Sequence, residues 1–367
     1  MKVAIRTDSS TGMGSGHLMR CLALAGELRD RGADISFICR QLPGNLIELI
    51  EKKAFQCIRL QSPPDGYVPS WDDVPHAEWL NCHWHTDATE TIENLACRRP
   101  DWLIIDHYAL DRRWESMLRP YAGRIMVIDD LADRRHDCDL LLDQNLYEAM
   151  ESRYRVLVPE KCVTLLGPGY ALLRAEFTMT RRNSRIRDGN IRRILIFLGG
   201  GDPTNETSKA LEAVRSLNRP DIAVDVVVGK SNPHCGGIRL HCNAMQNTVY
   251  HLQIDNMAEV MAAADLAIGA GGSSSWERCF LGLPTMIIAI ADHQIETSKC
   301  LDRSGCAWFC GTPTSTTSAL LEQRLRLLVN EPFEVERAAR AGKSVVDGCG
   351  CPKVCDRLHQ ISSRGSQ

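Results

Sequence analysis

Each half of this chain opens with a short apolar run that leads into a glycine-rich turn and then a helix, and this feature restricts the fold more than any other. The first copy has an apolar run at 3–5, glycines at 12, 14 and 16, and helix-period apolar residues from Leu18 onward. The second has an apolar run at 194–198 followed by glycines at 199–201. Strand, turn and helix in this order build an open α/β sheet with parallel strands.

The chain length and one polar stretch predict two such domains. A chain of 367 residues is long for a single hydrophobic core. Residues 181–190 are polar and basic without an apolar period, which is typical of a linker. We therefore predict an α/β fold of two Rossmann-like domains facing across a cleft, at 1–180 and 191–345, followed by a C-terminal helix at 346–367. The Pro-, Asp- and Trp-rich segment 62–85 is a candidate rim of that cleft, or it is poorly ordered.

Composition excludes several classes of partner. The net charge of -3 offers no basic surface for nucleic acid. The first apolar run is cut off by Arg6 and is too short for a signal peptide, and no run approaches the ~18 apolar residues that a membrane helix needs. Without a secretion signal we expect the 16 cysteines to be reduced thiols. The clusters at 349–355 and 234–242 lack paired Cys-x-x-Cys spacing, so we expect no zinc site at either. These features predict a cytoplasmic monomer without a nucleic-acid or membrane partner and without a metal or other cofactor.

His17 is the candidate catalytic residue because it stands where the first strand becomes a helix. That position lies at the carboxyl edge of the predicted sheet, where open α/β sheets bind their ligands. Histidine titrates near neutral pH and is the commonest general base, whereas a histidine that merely starts the helix is the alternative. Gly14 and Gly16 let the backbone approach a ligand. The turn is a poor dinucleotide fingerprint, since His17 replaces the third glycine and the second strand ends in Arg40 instead of an acid.

The strongest local pattern is the strand-to-helix transition at 268–277. Gly272, Ser273 and Ser274 place free N–H groups and hydroxyls at one helix N-terminus, which suits a diphosphate. Glu277, one turn into the helix, is positioned to accept hydrogen bonds from ribose hydroxyls. The alternative is a capping box formed by Ser274 and Glu277. Gly200 is a second candidate for contact with the diphosphate, or it belongs to an ordinary tight turn.

Motifs along nearly the whole chain carry a resemblance to a known family. They are Arg6-x-Asp8-x-Ser10, Gly14-x-Gly16-His17-x-x-Arg20-Cys21, and the segments 105–108, 128–131, 142–145, 170–174, 199–202 and 269–278. In order and spacing they resemble the UDP-2,4-diacetamido-2,4,6-trideoxy-β-L-altropyranose hydrolases of bacterial pseudaminic acid biosynthesis.

The resemblance implies a GT-B architecture similar to that of the N-acetylglucosaminyltransferase that makes lipid II, with UDP mainly in the second domain. It implies catalysis by His17, phosphate contacts from residues 272–274 and a ribose contact from Glu277. The family has Asn before the Gln that follows the last strand of the cleft, whereas this chain has His293 before Gln294. We expect both residues to contact the substrate, and His293 either to change which sugar is preferred or to add a second titrating group.

The resemblance therefore implies hydrolysis of a UDP-activated 2,4-diacetamido-2,4,6-trideoxy sugar at the anomeric carbon. UDP is already a good leaving group, so the reaction lacks only an activated water. Neutral His17 can deprotonate that water on the ring face opposite UDP, which gives inversion. Asp8, Asp106 and Tyr108 are candidates to orient His17 or to hold the acetamido groups. The alternatives are a UDP-sugar glycosyltransferase of GT-B fold and a protein that binds a nucleotide sugar without turnover.

Overall fold

The computed structural model describes residues 1–62, 67–95 and 98–364, which form two compact units. The N-terminal unit comprises residues 1–145 and 149–174 and the described residues from 349 on. The C-terminal unit comprises residues 146–148 and 175–348. Each unit holds one parallel sheet with helices, which is the α/β class that the repeated strand–turn–helix pattern predicted.

The regular elements alternate along the chain. The strands are β1 Lys2–Thr7, β2 Asp34–Arg40, β3 Gln56–Leu60, β4 Trp102–Asp106, β5 Arg124–Ile128, β6 Leu140–Asp143, β7 Val163–Leu166, β8 Arg193–Phe197, β9 Ala223–Val228, β10 Thr248–Leu252, β11 Leu266–Ala270, β12 Thr285–Ile288 and β13 Ala307–Gly311. The helices are α1 Gly16–Asp30, α2 Ile47–Lys52, α3 Trp84–Leu95, α4 Arg112–Leu118, α5 Met150–Arg153, α6 Ala175–Arg182, α7 Glu206–Ser216, α8 Cys235–Asn243, α9 Met257–Ala263, α10 Ser274–Leu281, α11 His293–Arg303, α12 Ser318–Asn330, α13 Pro332–Val345 and α14 Gly350–Arg364. Short 3₁₀ helices lie at Ala77–Trp79, Arg119–Tyr121 and Pro168–Tyr170.

Both sheets are parallel, in the orders β3-β2-β1-β4-β5-β6-β7 and β10-β9-β8-β11-β12-β13. Every residue of β4, β6 and β11 is buried. A central strand of a parallel sheet is covered by helices on both faces, so it needs the nearly continuous apolar run that these segments have. In α1, Leu18, Leu22 and Ala25 recur at helical spacing and are buried in the core of the N-terminal unit.

The C-terminal helix α14 packs into the N-terminal unit. Val354, Cys355 and Leu358 are fully buried in the same core cluster as Leu18 of α1. The indole of Trp102 in β4 donates a hydrogen bond of 2.9 Å to Ser362 Oγ. The chain therefore enters the C-terminal unit after residue 174 and returns to the first unit for its last helix.

The polar stretch at 181–190 is more than a connection. Helix α6 extends to Arg182, and Arg187 is buried with its guanidinium donating to Ala264 O at 2.9 Å and Leu281 O at 2.6 Å. These main-chain acceptors come from distant parts of the C-terminal unit. A pattern of polar residues alone cannot reveal that one of them is held inside a fold.

In each sheet the strand order reverses beside the first strand of the unit, between β1 and β4 and between β8 and β11. At such a switch point the loops after the two strands diverge and leave a crevice at the carboxyl edge of the sheet, where ligands bind. The register pairs Thr7 with Asp106 in one sheet and Phe197 with Gly269 in the other. The glycine-rich turns at 8–16, 199–201 and 271–273 all follow strands at these two points.

Candidate functional site

The turn after β1 is a compact loop that positions the start of α1. Ser10 and Gly14 pair across it, with Gly14 N donating to Ser10 O at 2.8 Å. Ser10 Oγ accepts a second bond, of 3.0 Å, from Met13 N. Gly14 has a φ of 79°, which favours glycine because other residues meet steric strain there. Helix α1 then begins at the exposed Gly16, so His17 stands in its first turn, as the sequence predicted.

His17 forms a buried pair with Asp106 at the end of β4. Its Nδ1 lies 2.6 Å from Asp106 Oδ1, and its side chain is 8% exposed against 0% for the carboxylate. Arg20, one turn later on α1, binds the same carboxylate through Nε and Nη2, each at 2.7 Å. Asp106 is therefore a shared acceptor for the imidazole and the guanidinium.

This arrangement keeps Asp106 ionised and sets the orientation of the imidazole. Burial raises the pKa of Asp106, but the charge of Arg20 and the contact with His17 outweigh burial and hold that pKa well below its usual value. A carboxylate at Nδ1 favours the tautomer in which Nδ1 carries the proton and Nε2 is the basic nitrogen. In the part of the chain that the structure describes, no protein group hydrogen-bonds to His17 Nε2. His17 can thus accept a proton at Nε2 while Asp106 stabilises the resulting imidazolium.

Tyr108 and Asp130 extend the network. Arg20 Nη1 donates to Asp130 Oδ2 at 2.7 Å, and the Tyr108 hydroxyl donates to the same oxygen. Asn145 Nδ2 donates to the other carboxylate oxygen at 2.7 Å. The ring of Tyr108 meets the His17 ring edge-on, with centroids 4.4 Å apart. Tyr108, a candidate either to orient His17 or to hold an acetamido group, thus packs against the imidazole, and its hydroxyl is directed to Asp130.

The segment 62–85, a candidate rim of the cleft whose residues 63–66 lie outside the described residues, supplies aromatic side chains beside His17. Trp79, in the 3₁₀ helix of that segment, stacks on Tyr108 with centroids 5.5 Å apart and lies 6.3 Å from the His17 ring. His76 lies 4.6 Å from Trp79 and has a φ of 67°, in the left-handed region. Both side chains are half-buried. The rings form a partly open apolar surface at the edge of the imidazole.

Asp8 belongs to a separate ion-pair cluster in the same unit. It is 1% exposed, and its Oδ1 accepts from Arg6 Nη1 at 2.6 Å and from Arg40 N at 2.7 Å. Its Oδ2 lies 3.3 Å from His107 Nε2. Although burial raises it, the charge of Arg6 lowers the pKa of Asp8. These contacts hold strands β1 and β2 together, and the predicted contact of Asp8 with substrate stays a prediction.

In the C-terminal unit, the loop after β11 is held by the side chain of Gln294. Its Oε1 accepts from Gly271 N at 3.2 Å and from Ile290 N at 3.1 Å. A Cβ at Gly271 would lie 2.3 Å from Ser298 Oγ, so this position has no room for a larger residue. The half-buried Gly272 lies beside the Gln294 amide nitrogen, which would be 3.5 Å from a Cβ there.

Helix α10 begins without the predicted alternative of a capping box. Ser273 is the N-cap, its side chain makes no capping hydrogen bond, and Ser274 is already helical. A box formed by Ser274 and Glu277 requires Ser274 itself at the N-cap. The Ser274 hydroxyl oxygen instead accepts a 2.9 Å bond from Arg278 Nη1. Local spacing could not reveal this, because the register of a helix start depends on how the preceding loop is folded.

The three-glycine turn packs tightly against the loop after β9. A Cβ at Gly229 would lie 2.3 Å from Gly200 O, and Gly200 O accepts a 3.0 Å bond from Ser231 Oγ. Asp202, just after the turn, accepts from Glu206 N at 2.8 Å and from Thr207 N at 2.9 Å, which caps the start of α7.

The structure locates Glu277 and His293, but their contacts with a ligand stay predictions. Glu277 lies in the first turn of α10, and His293 is the first residue of α11, directly before Gln294. Both are half-buried. The prediction assigned no role to Arg20, Trp79, Gly229 or Arg278, although Arg20 and Arg278 lie within the motifs that carry the resemblance. The two arginines follow His17 and Ser274 by three and four residues, a helical spacing that places side chains on one face, whereas nothing local pointed to Trp79 or Gly229.

No helix within residues 1–62, 67–95 and 98–364 combines the length and apolarity needed to cross a membrane. Over the same residues, no group of three or more His, Cys, Asp or Glu side chains is arranged to hold a metal ion.

Comparison with known proteins agrees with this architecture. Residues 194–348 match the Glycosyltransferase family 28 C-terminal domain. An uncharacterised protein of Methanocaldococcus jannaschii is 27% identical over 302 residues, which are 81% of this chain but only 57% of that protein. The UDP-2,4-diacetamido-2,4,6-trideoxy-β-L-altropyranose hydrolase of Campylobacter jejuni is 28% identical over 306 residues, 83% of this chain and 97% of that protein. The structure of MurG from Acinetobacter baumannii aligns with a TM-score of 0.64 at 14% identity, covering 98% of this chain and 99% of that one.

The fold is therefore the GT-B type, and residues 194–348 are similar to the Glycosyltransferase family 28 C-terminal domain. Over most of its length the chain resembles the UDP-2,4-diacetamido-2,4,6-trideoxy-β-L-altropyranose hydrolase of Campylobacter jejuni, which confirms the resemblance that the motifs carried.

Proposed function

We propose that this protein hydrolyses a UDP-activated 2,4-diacetamido-2,4,6-trideoxy sugar at the anomeric carbon with inversion, releasing UDP and the free sugar for nonulosonate biosynthesis. The observation that carries this proposal is the buried pair of His17 and Asp106, with Nδ1 and Oδ1 2.6 Å apart. The similarity to the Campylobacter jejuni hydrolase over 83% of the chain supports the choice of substrate.

The chemistry needs one proton acceptor and one stabilised leaving group. His17 Nε2 takes a proton from water as the water oxygen attacks the anomeric carbon, and the bond from that carbon to the UDP oxygen breaks. Asp106 stabilises the imidazolium through Nδ1–H, as the aspartate of a catalytic triad does. UDP leaves as an anion and needs no strong acid. The proton then passes from His17 to solvent, so the balanced reaction is nucleotide sugar plus water to UDP, sugar and a proton.

The leaving group would be received by the C-terminal unit. The turn at 271–273 and the first turn of α10 offer main-chain N–H groups and serine hydroxyls, which are suited to a diphosphate. The family 28 match covers this half of the chain. Here, Gly272, Ser273 and Ser274 are the proposed phosphate contacts and Glu277 the proposed ribose contact.

A second candidate is a UDP-sugar glycosyltransferase, which the family 28 match over 194–348 favours for the C-terminal half. Such an enzyme would use the same nucleotide site but would pass the sugar to an alcohol. For it, His17 would deprotonate an acceptor hydroxyl instead of water, so the two candidates differ in what they do without an acceptor.

The test is proton NMR of the purified protein with the UDP-activated diacetamido sugar and no acceptor. Hydrolysis predicts prompt formation of UDP and of a free sugar whose first detected anomer is inverted. Bound but intact substrate would contradict the hydrolase and leave the transferase, and release of the retained anomer would contradict attack by water opposite UDP.

His17→Asn should abolish turnover while leaving the binding of UDP unchanged. A matched control is His251→Asn, since His251 also pairs with an aspartate, with Nε2 2.8 Å from Asp225 Oδ1, but on the edge strand β10 of the other sheet. Full turnover by the His17 variant would refute the proposed base.

A further inference from the structure

Arg278 is a buried cation beneath the loop that follows β11. It is 1% exposed, and its Nη2 donates to Ala270 O at 2.6 Å and to Ser275 Oγ at 3.0 Å. Its Nη1 donates to Ser274 Oγ at 2.9 Å, and its buried Nε has no hydrogen-bond partner. Within the described residues no carboxylate forms an ion pair with this guanidinium. Among the described residues, this positive charge is therefore buried without an ion-pair partner.

The surroundings make this charge more costly. The guanidinium lies against the first turn of α10, where the helix dipole is positive and disfavours a cation. Burial, only partly offset by Cys279 and Glu277, lowers the pKa of Arg278 to about 10, so the side chain is still protonated at neutral pH.

A second buried arginine in the same unit shows the opposite arrangement. Arg187 has no carboxylate ion-pair partner in the described parts of the chain either, but it donates to main-chain carbonyls at the C-terminal ends of α9 and α10, including Ala264 O at 2.9 Å and Gly282 O at 2.9 Å. The dipole is negative at a helix C-terminus, so the charge of Arg187 is compensated by the fold itself. Arg278 instead lies beside a helix N-terminus, where the dipole has the opposite sign.

The backbone makes room for the Arg278 guanidinium. A Cβ at Gly269 would lie 2.8 Å from Nη1 and 3.0 Å from Cζ. A glycine in the middle of a buried strand weakens that strand, and close approach of another group is a usual reason for it. Here the group that approaches is the guanidinium.

The hydrogen bond from Arg278 also restricts the direction in which the Ser274 hydroxyl can donate its proton. Because Nη1 donates to Ser274 Oγ, the hydroxyl proton has to point elsewhere. Ser274 is half-buried at the helix start, so its O–H can donate to a ligand at the loop. A hydroxyl that accepts from a guanidinium is a stronger donor, because hydrogen bonds in a chain polarise one another.

We propose that Arg278 is a positioning residue for an anionic ligand: it orients the Ser274 hydroxyl as a donor, and its unpaired charge is compensated by the diphosphate of a nucleoside diphosphate. This inference rests on the proposed function only in taking UDP as the ligand. Arg278 acts through Ser274 and through its charge, without direct contact to the reacting atoms.

The test compares the affinities of UDP and uridine by isothermal titration calorimetry, because only UDP carries the diphosphate. Arg278→Gln removes the charge, Arg278→Lys keeps it, and Arg187→Gln is the matched control for loss of a buried arginine. We expect Arg278→Gln to reduce the preference for UDP about 10- to 100-fold, the range for one hydrogen bond that involves a charged group. The affinity for uridine should stay within about threefold, and Arg278→Lys and Arg187→Gln should keep most of the preference.

An unchanged preference in Arg278→Gln would overturn the proposal. Equal losses in Arg278→Lys and Arg278→Gln would also overturn it, because the guanidinium would then serve only to hold the loop. If the glutamine variant does not fold, Ser274→Ala should lose the preference and Ser274→Thr should keep it, and a preference retained by the alanine variant would be contrary to the proposal.

The two proposals fail in different ways. A wild-type protein that binds UDP no better than uridine would overturn both. A wild-type protein that binds UDP but does not hydrolyse the nucleotide sugar would overturn the hydrolase alone and would leave the expected behaviour of Arg278 unchanged.

Discussion

Replacing Asp106 by Asn is the sharpest test of the His17 site, because it alters one atom of the pair and keeps its shape. Asp106 accepts from His17 Nδ1 at 2.6 Å and from Arg20 Nε and Nη2, each at 2.7 Å. An amide offers one acceptor oxygen and an NH₂ group that can donate to Nδ1 instead. When the amide donates to Nδ1, the imidazole proton has to be on Nε2, and His17 can no longer accept a proton there.

The expected loss in kcat is about 10²- to 10⁴-fold, the usual contribution of a positioned general base. This corresponds to about 3 to 5 kcal/mol in the activation free energy. Since Asp106 is fully buried and is not expected to touch the substrate, KM should change by less than about threefold. Arg20 keeps Asp130 as a partner at 2.7 Å, so we expect the free energy of unfolding to fall by about 2 to 4 kcal/mol.

The assay is steady-state release of UDP at 25 °C, normalised to the folded fraction from circular dichroism. Glu115→Gln is the matched control, since Glu115 Oε1 lies 2.7 Å from His136 Nδ1 and both side chains are fully buried in the same unit. That variant should lose stability to a similar degree and keep its kcat. A folded Asp106→Asn variant with kcat within about threefold of wild type would refute the reasoning, as would an equal loss of kcat in Glu115→Gln.

Three further predictions concern charge and packing. Although burial lowers it, the carboxylate of Glu115 raises the pKa of His136 to about 9, so the imidazolium stabilises the fold below about pH 6.5, and this contribution of about 3 kcal/mol is lost as the pH rises through 9. Urea unfolding across that pH range should show a falling free energy of unfolding in wild type and a much flatter profile in Glu115→Gln. A fall of the same size in both proteins would contradict the role of Glu115. Burial and the nearby charge of Asp130 raise the pKa of Asp143 to about 7, so the folded protein loses stability as the pH rises through 7 and this carboxyl ionises. Asp143→Asn should therefore raise Tm more at pH 8 than at pH 4, and equal shifts in Tm at the two pH values would contradict this. Gly229→Ala should weaken UDP binding, because its Cβ would lie 2.3 Å from a backbone oxygen of the three-glycine turn. By contrast, Gly237→Ala on α8 adds a methyl group in open space, so this variant should keep UDP binding and be about 1 kcal/mol more stable. Calorimetry measures UDP binding and thermal melts measure stability in both variants. Unchanged UDP binding in Gly229→Ala would contradict the expected effect of its Cβ on the three-glycine turn.

Much of the fold could be predicted because its signals are local. The apolar runs of β4 and β11, and the turns at 8–16 and 199–201, specify buried strands that lead into helices, and only a parallel α/β sheet accommodates repeated units of this kind. The same reasoning located His17 at a helix start on the carboxyl edge of a sheet. The edge strands β10 and β13 are harder to predict, since few of their residues are buried and their apolar pattern is weak.

The sequence by itself determined the class of fold, the position of His17 and the small-residue loop before α10, because each depends on residues close together in the chain. Only the tertiary structure decided which groups meet there. Asp106 lies 89 positions after His17, and its carboxylate joins the imidazole because β4 pairs with β1 across the switch point. Spacing along the chain carries no information about such pairing, since partners in a sheet are chosen by how all the strands pack together.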